Sequence, residues 1–97
     1  MSEKISVLMT VYNAENYAEE SINSILNQTY KNFEFIIVDD FSDDRSLEII
    51  KNIKDERIKL YKLEKRYGRT KALNFGLRKC ESELIAVQDA DDISHQD

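Results

Sequence analysis

The sequence of 97 residues has no proline and no tryptophan, and it has one cysteine, Cys80, and one histidine, His95. A single cysteine cannot form an internal disulfide, and one cysteine with one histidine is too few for a structural zinc site. The same scarcity gives little support to a Cys/His or Ser/His catalytic pair. Without proline, glycine-rich or repeated segments to mark a linker, we expect a single domain over residues 1–97.

Long apolar runs are also absent. The segment "FIIV" at 35–38 is far too short to cross a bilayer, and the N-terminus "MSEKISVLM" lacks the apolar region of a signal peptide. These absences predict a cytoplasmic protein. For a longer form of the protein, a peripheral position at the inner face of the membrane is the alternative.

The charge balance limits the partners. With 14 basic and 19 acidic residues the net charge is −5, and no basic block is long enough to follow a phosphate backbone. We therefore exclude a nucleic-acid polymer. A small phosphorylated ligand, bridged by a cation, is compatible with this charge.

Strand-like and helix-like segments alternate along the chain. The strand-like runs are "ISVLMTV" (5–11), "FEFIIV" (33–38), "RIKLYKL" (57–63) and "LIAV" (84–87). The segments between them have helical spacing of small and apolar residues, namely Ala18, Ile22, Ile25 and Leu26, then Leu47, Ile50 and Ile53, then Ala72, Leu73, Gly76, Leu77 and Cys80. This βαβαβαβ order predicts an α/β, Rossmann-like three-layer sandwich with a mainly parallel sheet.

The unusual polar clusters all follow predicted strands. They are "YNAEN", "DDFSDD", "EKRYGR" and "QDADD". In a doubly wound sheet these loops leave one edge, and the first and fourth strands lie side by side where the strand order reverses. We therefore expect Thr10, Tyr12 and the aspartates to share one crevice.

The acidic cluster that includes Asp89, Asp91 and Asp92 is too dense for helix capping alone. Two carboxylates about 4 Å apart repel by roughly 1 kcal/mol in water and about 4 kcal/mol in a partly buried site, whereas a cap contributes about 1 kcal/mol. A divalent cation, Mg²⁺ or Mn²⁺, reverses the sign of this interaction. For residues 42–44, capping of the helix that follows remains the better interpretation. For Asp40, both capping and a role in the site remain open.

The start of the third predicted helix has two interpretations. Gly68, Arg69, Thr70 and Lys71 open the third predicted helix, where backbone amides and two cations suit an anion, although a glycine turn with solvated basic residues is the alternative. The two glycines of the chain form neither a GxGxxG nor a P-loop motif, so a bound diphosphate would depend on a metal. Cys80 is predicted to belong to the core.

Together, "ISVLMTVYNAENYAEESINSILNQTYKNFEFIIVDDFSDD", "GRTKALNFGL" and "LIAVQDADD" resemble the nucleotide-sugar-binding half of the family 2 glycosyltransferases, which have the GT-A fold. The resemblance covers residues 5–92. It implies metal-dependent binding of a nucleoside-diphosphate sugar, UDP-type, for transfer to a hydroxyl of a glycan or lipid-linked saccharide. It also implies a role in polysaccharide biosynthesis.

The resemblance assigns roles to individual residues. It implies that Thr10 and Tyr12 contact the nucleotide and that Asp40 accepts a hydrogen bond from a uracil-type base. Arg69 and Lys71 match basic positions near the nucleotide and diphosphate. Asp89 and Asp91 form a DxD motif, in which Asp89 meets the ribose and Asp91 the metal, and Asp92 is a second acidic group at the metal.

The chain departs from the family pattern in two ways. "MTVYN" lacks the proline that the family commonly has before this threonine, and no residue is assignable as the general base, which we expect downstream of Asp97. We therefore expect a truncated donor-binding domain with little or no transfer activity. Two alternatives are a receiver-like Mg²⁺-binding signalling domain, which the aspartate positions disfavour, and a non-catalytic fragment that self-associates through uncovered sheet surface, as a homo-oligomer.

Overall fold

The computed structural model describes residues 4–28 and 32–89, and in them strands and helices alternate as predicted. The second strand extends to Asp39 and the fourth to Asp89, slightly beyond the apolar runs that predicted them. The elements are β1 (Ile5–Val11), α1 (Ala18–Leu26), β2 (Phe33–Asp39), α2 (Ser46–Lys51), β3 (Ile58–Lys62), α3 (Arg69–Lys79) and β4 (Leu84–Asp89).

The four strands form one parallel sheet in the order β3-β2-β1-β4. β1 therefore lies between β2 and β4, which confirms the predicted neighbourhood of the first and fourth strands. The register pairs Thr10 with Val38 on one side and with Asp89 on the other. The carboxyl ends of these three strands consequently lie at one edge of the sheet.

Helices cover both faces of the sheet, which confirms the three-layer prediction. Met9, Phe35 and Ile37 point to one face and pack with α1 and α2. Leu8, Ile36 and Val38 point to the other face and pack with α3. Because β1 and β2 are buried on both faces, their sequences are nearly continuous apolar runs rather than alternating ones.

The second helix is shorter than its apolar spacing indicated, whereas the third helix agrees with the prediction. α2 ends at Lys51, so Ile53 lies after the helix, although its side chain still packs against the α1 and α2 core. Gly76 is buried in α3, and a methyl group there would overlap the side chain of Leu8, so glycine allows α3 to approach β1 closely. Cys80 packs half-buried against the α3 core, as predicted, and burial raises the pKa of its thiol.

A buried carboxylate stabilises the opposite, amino-terminal edge of the sheet. Glu34 of β2 is 1% exposed, and its carboxylate accepts hydrogen bonds from the Ser6 hydroxyl, from the Glu81 amide at 2.7 Å and from Lys59 Nζ at 3.0 Å. The Ser82 amide donates to Ser6 Oγ at 3.1 Å. Glu34 and Ser6 thus bind the turn that connects α3 to β4.

This connection matters because β4 has little apolar packing of its own. Leu84, Ile85 and Val87 are 47%, 39% and 43% exposed. A strand that buries few side chains has a weakly specified register. The bonds from Glu34 and Ser6 to residues 81 and 82 therefore help to set where β4 begins, and with it the pairing of Asp89 with Thr10.

The charges in this cluster favour the ionised form of Glu34. Burial alone would raise the pKa of the Glu34 carboxyl, but the bonds from Glu81, Ser6 and Lys59 together hold that pKa below its ordinary value. The bond to Glu34 in turn raises the pKa of Lys59. The cluster is therefore fully charged at neutral pH.

In the described ranges, each helix is too short or too polar to cross a lipid bilayer.

We predict that Glu34→Gln lowers the free energy of unfolding by about 2 kcal/mol at pH 7, because it removes a buried, fully bonded charge. A lowered pKa stabilises the fold above the pKa of the unfolded chain, and this stabilisation disappears as the pH falls through the lower folded value. The wild-type and variant stabilities should therefore converge below about pH 4.3. Urea unfolding measured across a pH series checks this prediction.

The matched control is Glu48→Gln, which changes the same charge on a side chain that is 62% exposed. It should change the stability by less than about 0.5 kcal/mol. A constant difference between wild type and Glu34→Gln from neutral to acidic pH would show that the charge of Glu34 is not the cause.

Candidate functional site

The carboxyl edge of the sheet brings several of the predicted site residues together. Thr10 is buried and is the strand partner of Asp89, and β2 continues into Asp40, whose amide donates to the Val11 carbonyl at 2.8 Å. The predicted metal ligands Asp91 and Asp92 lie outside the described residues. The described part of the predicted crevice thus consists of the ends of β1, β2 and β4 and the loops that follow β1 and β2.

The loops after β1 and β2 are joined by side-chain hydrogen bonds. The Asp39 carboxylate accepts from the Ser42 amide at 3.0 Å and from the Ser42 hydroxyl at 2.7 Å. Ser42 Oγ accepts from the Asn13 amide at 3.0 Å, and Asn13 Oδ1 accepts from the Asp43 amide at 2.9 Å. Each loop therefore supplies a side-chain oxygen that accepts a hydrogen bond from a backbone amide of the other loop.

A second set of bonds lies closer to α2. The Asp44 carboxylate accepts from the Ser46 amide at 2.8 Å and from the Glu15 amide at 3.2 Å, and Glu15 Oε1 accepts from the Arg45 amide at 2.9 Å. Burial would raise the pKa of Asp44, but the bonds from Ser46 and Glu15 lower it overall. The structure gives α2 no side-chain cap: its N-cap residue is Arg45, and Asp44 accepts from the amide of Ser46 two positions on, as in a turn. The prediction that residues 42–44 cap α2 is therefore wrong. Asp44 instead satisfies backbone amides of the turn, and Ser42 joins the two loops.

Two residues of these loops have left-handed backbone conformations. Asn13 has φ of 49° and Phe41 has φ of 62°. Asparagine adopts this conformation readily, but a bulky aromatic residue does so rarely and at a cost. The bonds of the flanking Asp40 and Ser42 stabilise the turn, and the Phe41 side chain remains 44% exposed at this edge.

The Asp40 carboxylate binds the loop before α3. Asp40 is 2% exposed, and it accepts from Arg66 Nε at 2.8 Å, from the Tyr67 amide at 2.9 Å and from the Gly68 amide at 2.9 Å. The capping interpretation of Asp40 is therefore wrong for α2, because these bonds go to the start of α3. Gly68 has φ of 95°, a conformation that favours glycine.

Arg66 connects Asp40 to Tyr12. The guanidinium carbon of Arg66 lies 3.5 Å from the ring centroid of Tyr12, and the bond to Asp40 raises the pKa of Arg66. The Tyr12 side chain is 40% exposed. Sequence reasoning missed Arg66, although it lies in the polar loop "EKRYGR" at a predicted strand end, which was the available signal.

The structure does not place Lys71 with these residues. Lys71 is exposed and lines a groove of about 610 Å³ together with Lys62, Tyr67 and Phe75, on the side of α3 that faces β3. Thr10, Tyr12 and Asp40 do not line this groove. Arg69 is the first residue of α3, whose first turn has no acidic residue.

The metal prediction stays a prediction. Across residues 4–28 and 32–89, no three Asp, Glu, His or Cys side chains lie close enough together to bind a metal ion. Asp91 and Asp92 fall after these ranges, and their carboxylate oxygens are the ligand type that Mg²⁺ and Mn²⁺ prefer.

Comparison with known proteins identifies the family. The sequence model of glycosyl transferase family 2 matches residues 6–97. The chain therefore belongs to glycosyltransferase family 2, as the resemblance indicated, and the receiver-like alternative is wrong.

Relatives and solved structures agree with this assignment. A protein of Haemophilus influenzae, described as an uncharacterized glycosyltransferase, is 46% identical over 95 residues, covering 96% of this chain and 38% of the relative. S. aureus TarS 1–349 in complex with UDP-GlcNAc has a TM-score of 0.84 and 34% identity, covering 91% of this chain and 26% of the TarS 1–349 chain. The mannosyltransferase PcManGT from Pyrobaculum calidifontis, in complex with GDP-Man and Mn²⁺, has a TM-score of 0.82 and 28% identity, covering 90% and 27%.

These neighbours confirm the GT-A fold. The chain spans 38% of the length of the Haemophilus relative and about a quarter of each solved structure.

We predict that Asp40→Asn loosens the loop before α3, because a neutral amide is a weaker acceptor for the three donors. Amide hydrogen exchange at Tyr67 and Gly68 should accelerate about tenfold. Asp43→Asn changes an exposed carboxylate in the same loop and should leave those two amides unchanged. Equal protection of the two amides in both variants would contradict the assigned role of Asp40.

Proposed function

We propose that this chain is the donor-binding part of a metal-dependent family 2 glycosyltransferase. Its donor is a nucleoside-diphosphate sugar of the UDP type, and the whole enzyme transfers the sugar to a hydroxyl of a glycan or lipid-linked saccharide. The observation that carries the proposal is the cluster of Tyr12, Arg66 and Asp40 at the carboxyl edge, beside the paired Thr10 and Asp89.

Three donors bind the Asp40 carboxylate, and one of its acceptor positions is left unfilled by the described residues. An ionised carboxylate offers about four acceptor positions. Oδ2 accepts from Arg66 and Gly68, whereas Oδ1 accepts from Tyr67 alone among residues 4–28 and 32–89. Oδ1 can therefore accept the N3–H of a uracil ring, which a cytosine ring lacks.

Tyr12 supplies the stacking surface in this proposal. Arg66 lies against its ring, and the Tyr12 side chain retains 40% of its surface for contact with a flat base. Stacking of a base on an aromatic ring contributes about 1–3 kcal/mol. Arg66 holds the tyrosine ring and the Asp40 carboxylate together, so that the two contacts with the base are formed at once.

The remaining donor contacts follow the strand ends. Asp89, at the end of β4, is proposed to bind the ribose, and Thr10 beside it contacts the nucleotide. Arg69 and Lys71, both in the first turn of α3, are the candidate basic contacts of the diphosphate, and the groove position of Lys71 makes Arg69 the better supported of the two.

Asp91 and Asp92 are proposed to hold Mg²⁺ or Mn²⁺. A bound divalent ion would stabilise the charge on the departing diphosphate. The presence of Mn²⁺ with GDP-Man in the PcManGT complex supports a metal-dependent donor site, and the UDP-GlcNAc complex of TarS supports a nucleotide-sugar ligand.

No residue of this chain is assigned as the general base. The proposed base belongs to a segment downstream of Asp97 in a longer protein. We therefore expect the 97-residue chain to bind the donor and to transfer sugar slowly or not at all.

We predict that UDP binds to this chain more tightly with Mn²⁺ than without it, measured by calorimetric titration. Asp91→Asn should weaken the Mn²⁺-dependent binding at least about tenfold. Asp97→Asn removes the same charge from the end of the chain and should have little effect. Metal-independent binding, or equal affinity of the two variants, would rule out the metal assignment.

The proposed role of Asp40 is tested by comparing the affinities for UDP and CDP in the same type of titration. Wild type should prefer UDP over CDP because only uracil donates from N3, and Asp40→Asn should reduce this preference, while Asp43→Asn should keep it. If the wild-type chain binds UDP and CDP equally, the base assignment is wrong even if Mn²⁺ is required.

A second candidate role is self-association through β4. The apolar Leu84, Ile85 and Val87 are between 39% and 47% exposed on the edge strand. An uncovered apolar edge strand is a template for pairing with another chain. This observation supports a homo-oligomer of the isolated chain.

We predict that sedimentation of this chain shows concentration-dependent association and that Val87→Lys shifts it toward the monomer, because a charge on the edge disfavours pairing. Tyr17→Lys replaces a side chain of similar exposure, 42%, before α1 and should not change the association. A monomer at every concentration would contradict this role.

A further inference from the structure

The groove between α3 and β3 is a basic surface that the proposed donor site leaves largely unused. It has a volume of about 610 Å³ and is lined by three cations, Lys62 at the end of β3 and Lys71 and Arg78 of α3. Of these, only Lys71 is a candidate contact of the donor. The groove lies at the β3 side of the sheet, whereas β4 lies at the other side of β1.

The positive charge of the groove is only partly balanced by carboxylates of residues 4–28 and 32–89. Glu64 is the one carboxylate among the described residues that line it. The ion pairs formed within the described part of the chain involve Arg45, Arg57, Lys59 and Arg66, and none of the groove cations. This accumulation of unpaired cations occurs in a chain whose net charge is −5.

The charge of Lys71 destabilises the start of α3 when no anion is bound there. The first turn of a helix favours negative charge, but the first turn of α3 has no acidic residue, and Lys71 adds a cation there. Arg78 is in the last turn, where a cation is favourable. A bound anion near Lys71 and Lys62 would offset the unfavourable interaction between the charge of Lys71 and the helix dipole.

Aromatic rings lie between the cations. Tyr67 is 41% exposed, and Phe75 is half-buried and packs edge-on against Tyr61 at a centroid distance of 5.8 Å. Lys71 and Arg78 are seven positions apart in α3, which corresponds to about 10 Å along the helix axis. The groove therefore has a cationic position at each end and an apolar, flat surface between them.

We propose that this groove is a second binding site that takes a phosphate-bearing saccharide. The phosphate lies between Lys62 and Lys71, and the sugar ring packs on Phe75 and Tyr67 toward Arg78. The ammonium groups bind phosphate as point charges, and the rings contact the apolar face of the sugar. In this proposal Lys71 binds the phosphate of the saccharide, and the donor diphosphate is left to Arg69, so binding in the groove does not depend on the donor being bound.

The test is a titration of the isotopically labelled 97-residue chain followed by nuclear magnetic resonance, with glucose 6-phosphate, glucose and inorganic phosphate as probes. Glucose 6-phosphate should shift the amide signals of Tyr67, Asn74 and Phe75 and bind more tightly than either other probe. The double variant Lys62→Gln/Lys71→Gln should weaken this binding at least about tenfold. Added salt should weaken the wild-type binding as well.

The matched control is Lys51→Gln/Lys54→Gln, which removes two exposed charges near α2 and should leave the affinity unchanged. All four lysines are exposed or half-buried at the surface, and circular dichroism of each variant verifies its fold. Equal affinity in the two double variants, or equal affinity for glucose and glucose 6-phosphate, would overturn the proposal.

Two further experiments distinguish a phosphorylated saccharide from a lipid headgroup and from the donor nucleotide as the ligand of the groove. Flotation with phosphatidylglycerol vesicles tests a lipid headgroup, and binding to vesicles without binding to glucose 6-phosphate would overturn the saccharide assignment. Displacement of glucose 6-phosphate by UDP with Mn²⁺ would show that the groove belongs to the donor site. A chain that binds glucose 6-phosphate but not UDP would disprove the proposed donor function and leave the groove proposal intact.

Discussion

The position of β1 between β2 and β4 is the constraint on which the rest of this structure depends. A strand that pairs in parallel on both sides and is covered by helices on both faces must be apolar along most of its length, as Leu8 and Met9 at 0% exposure show. Because all strands run the same way, their carboxyl ends meet at one edge. Thr10, Asp40 and Asp89 therefore come from distant parts of the chain to the same edge of the sheet.

β2 uses two buried carboxylates to hold α3 in place. Asp40, at the carboxyl end of the strand, binds the amides of residues 67 and 68 before α3, and Glu34, at the amino end, binds the amide of residue 81 after it. Burying a carboxylate is costly unless its oxygens are bonded. Both are bonded to backbone amides and to a cation, Arg66 or Lys59, so each charge restrains one end of the same helix.

This arrangement gives α3 two different environments. Its inner face, with Ala72 and Gly76, lies close to Leu8 of β1, where only a very small residue fits. Its outer side, with Lys71 and Arg78, forms the basic groove with the end of β3. One helix, held at both ends by β2, thus has a small-residue face in the core and a basic side at the groove.

The sequence by itself determined the order of strands and helices, the neighbourhood of β1 and β4, and the family, because these depend on local periodicity, on right-handed crossovers and on motifs at strand ends. It overextended the second helix to Ile53 and missed Arg66. Only the tertiary structure decided that Asp40 binds the loop before α3, that Glu34 anchors β4, and that Lys71 faces β3. The physical reason is that these polar pairs join residues 26 to 47 positions apart, and no local pattern specifies which donor a buried carboxylate will meet.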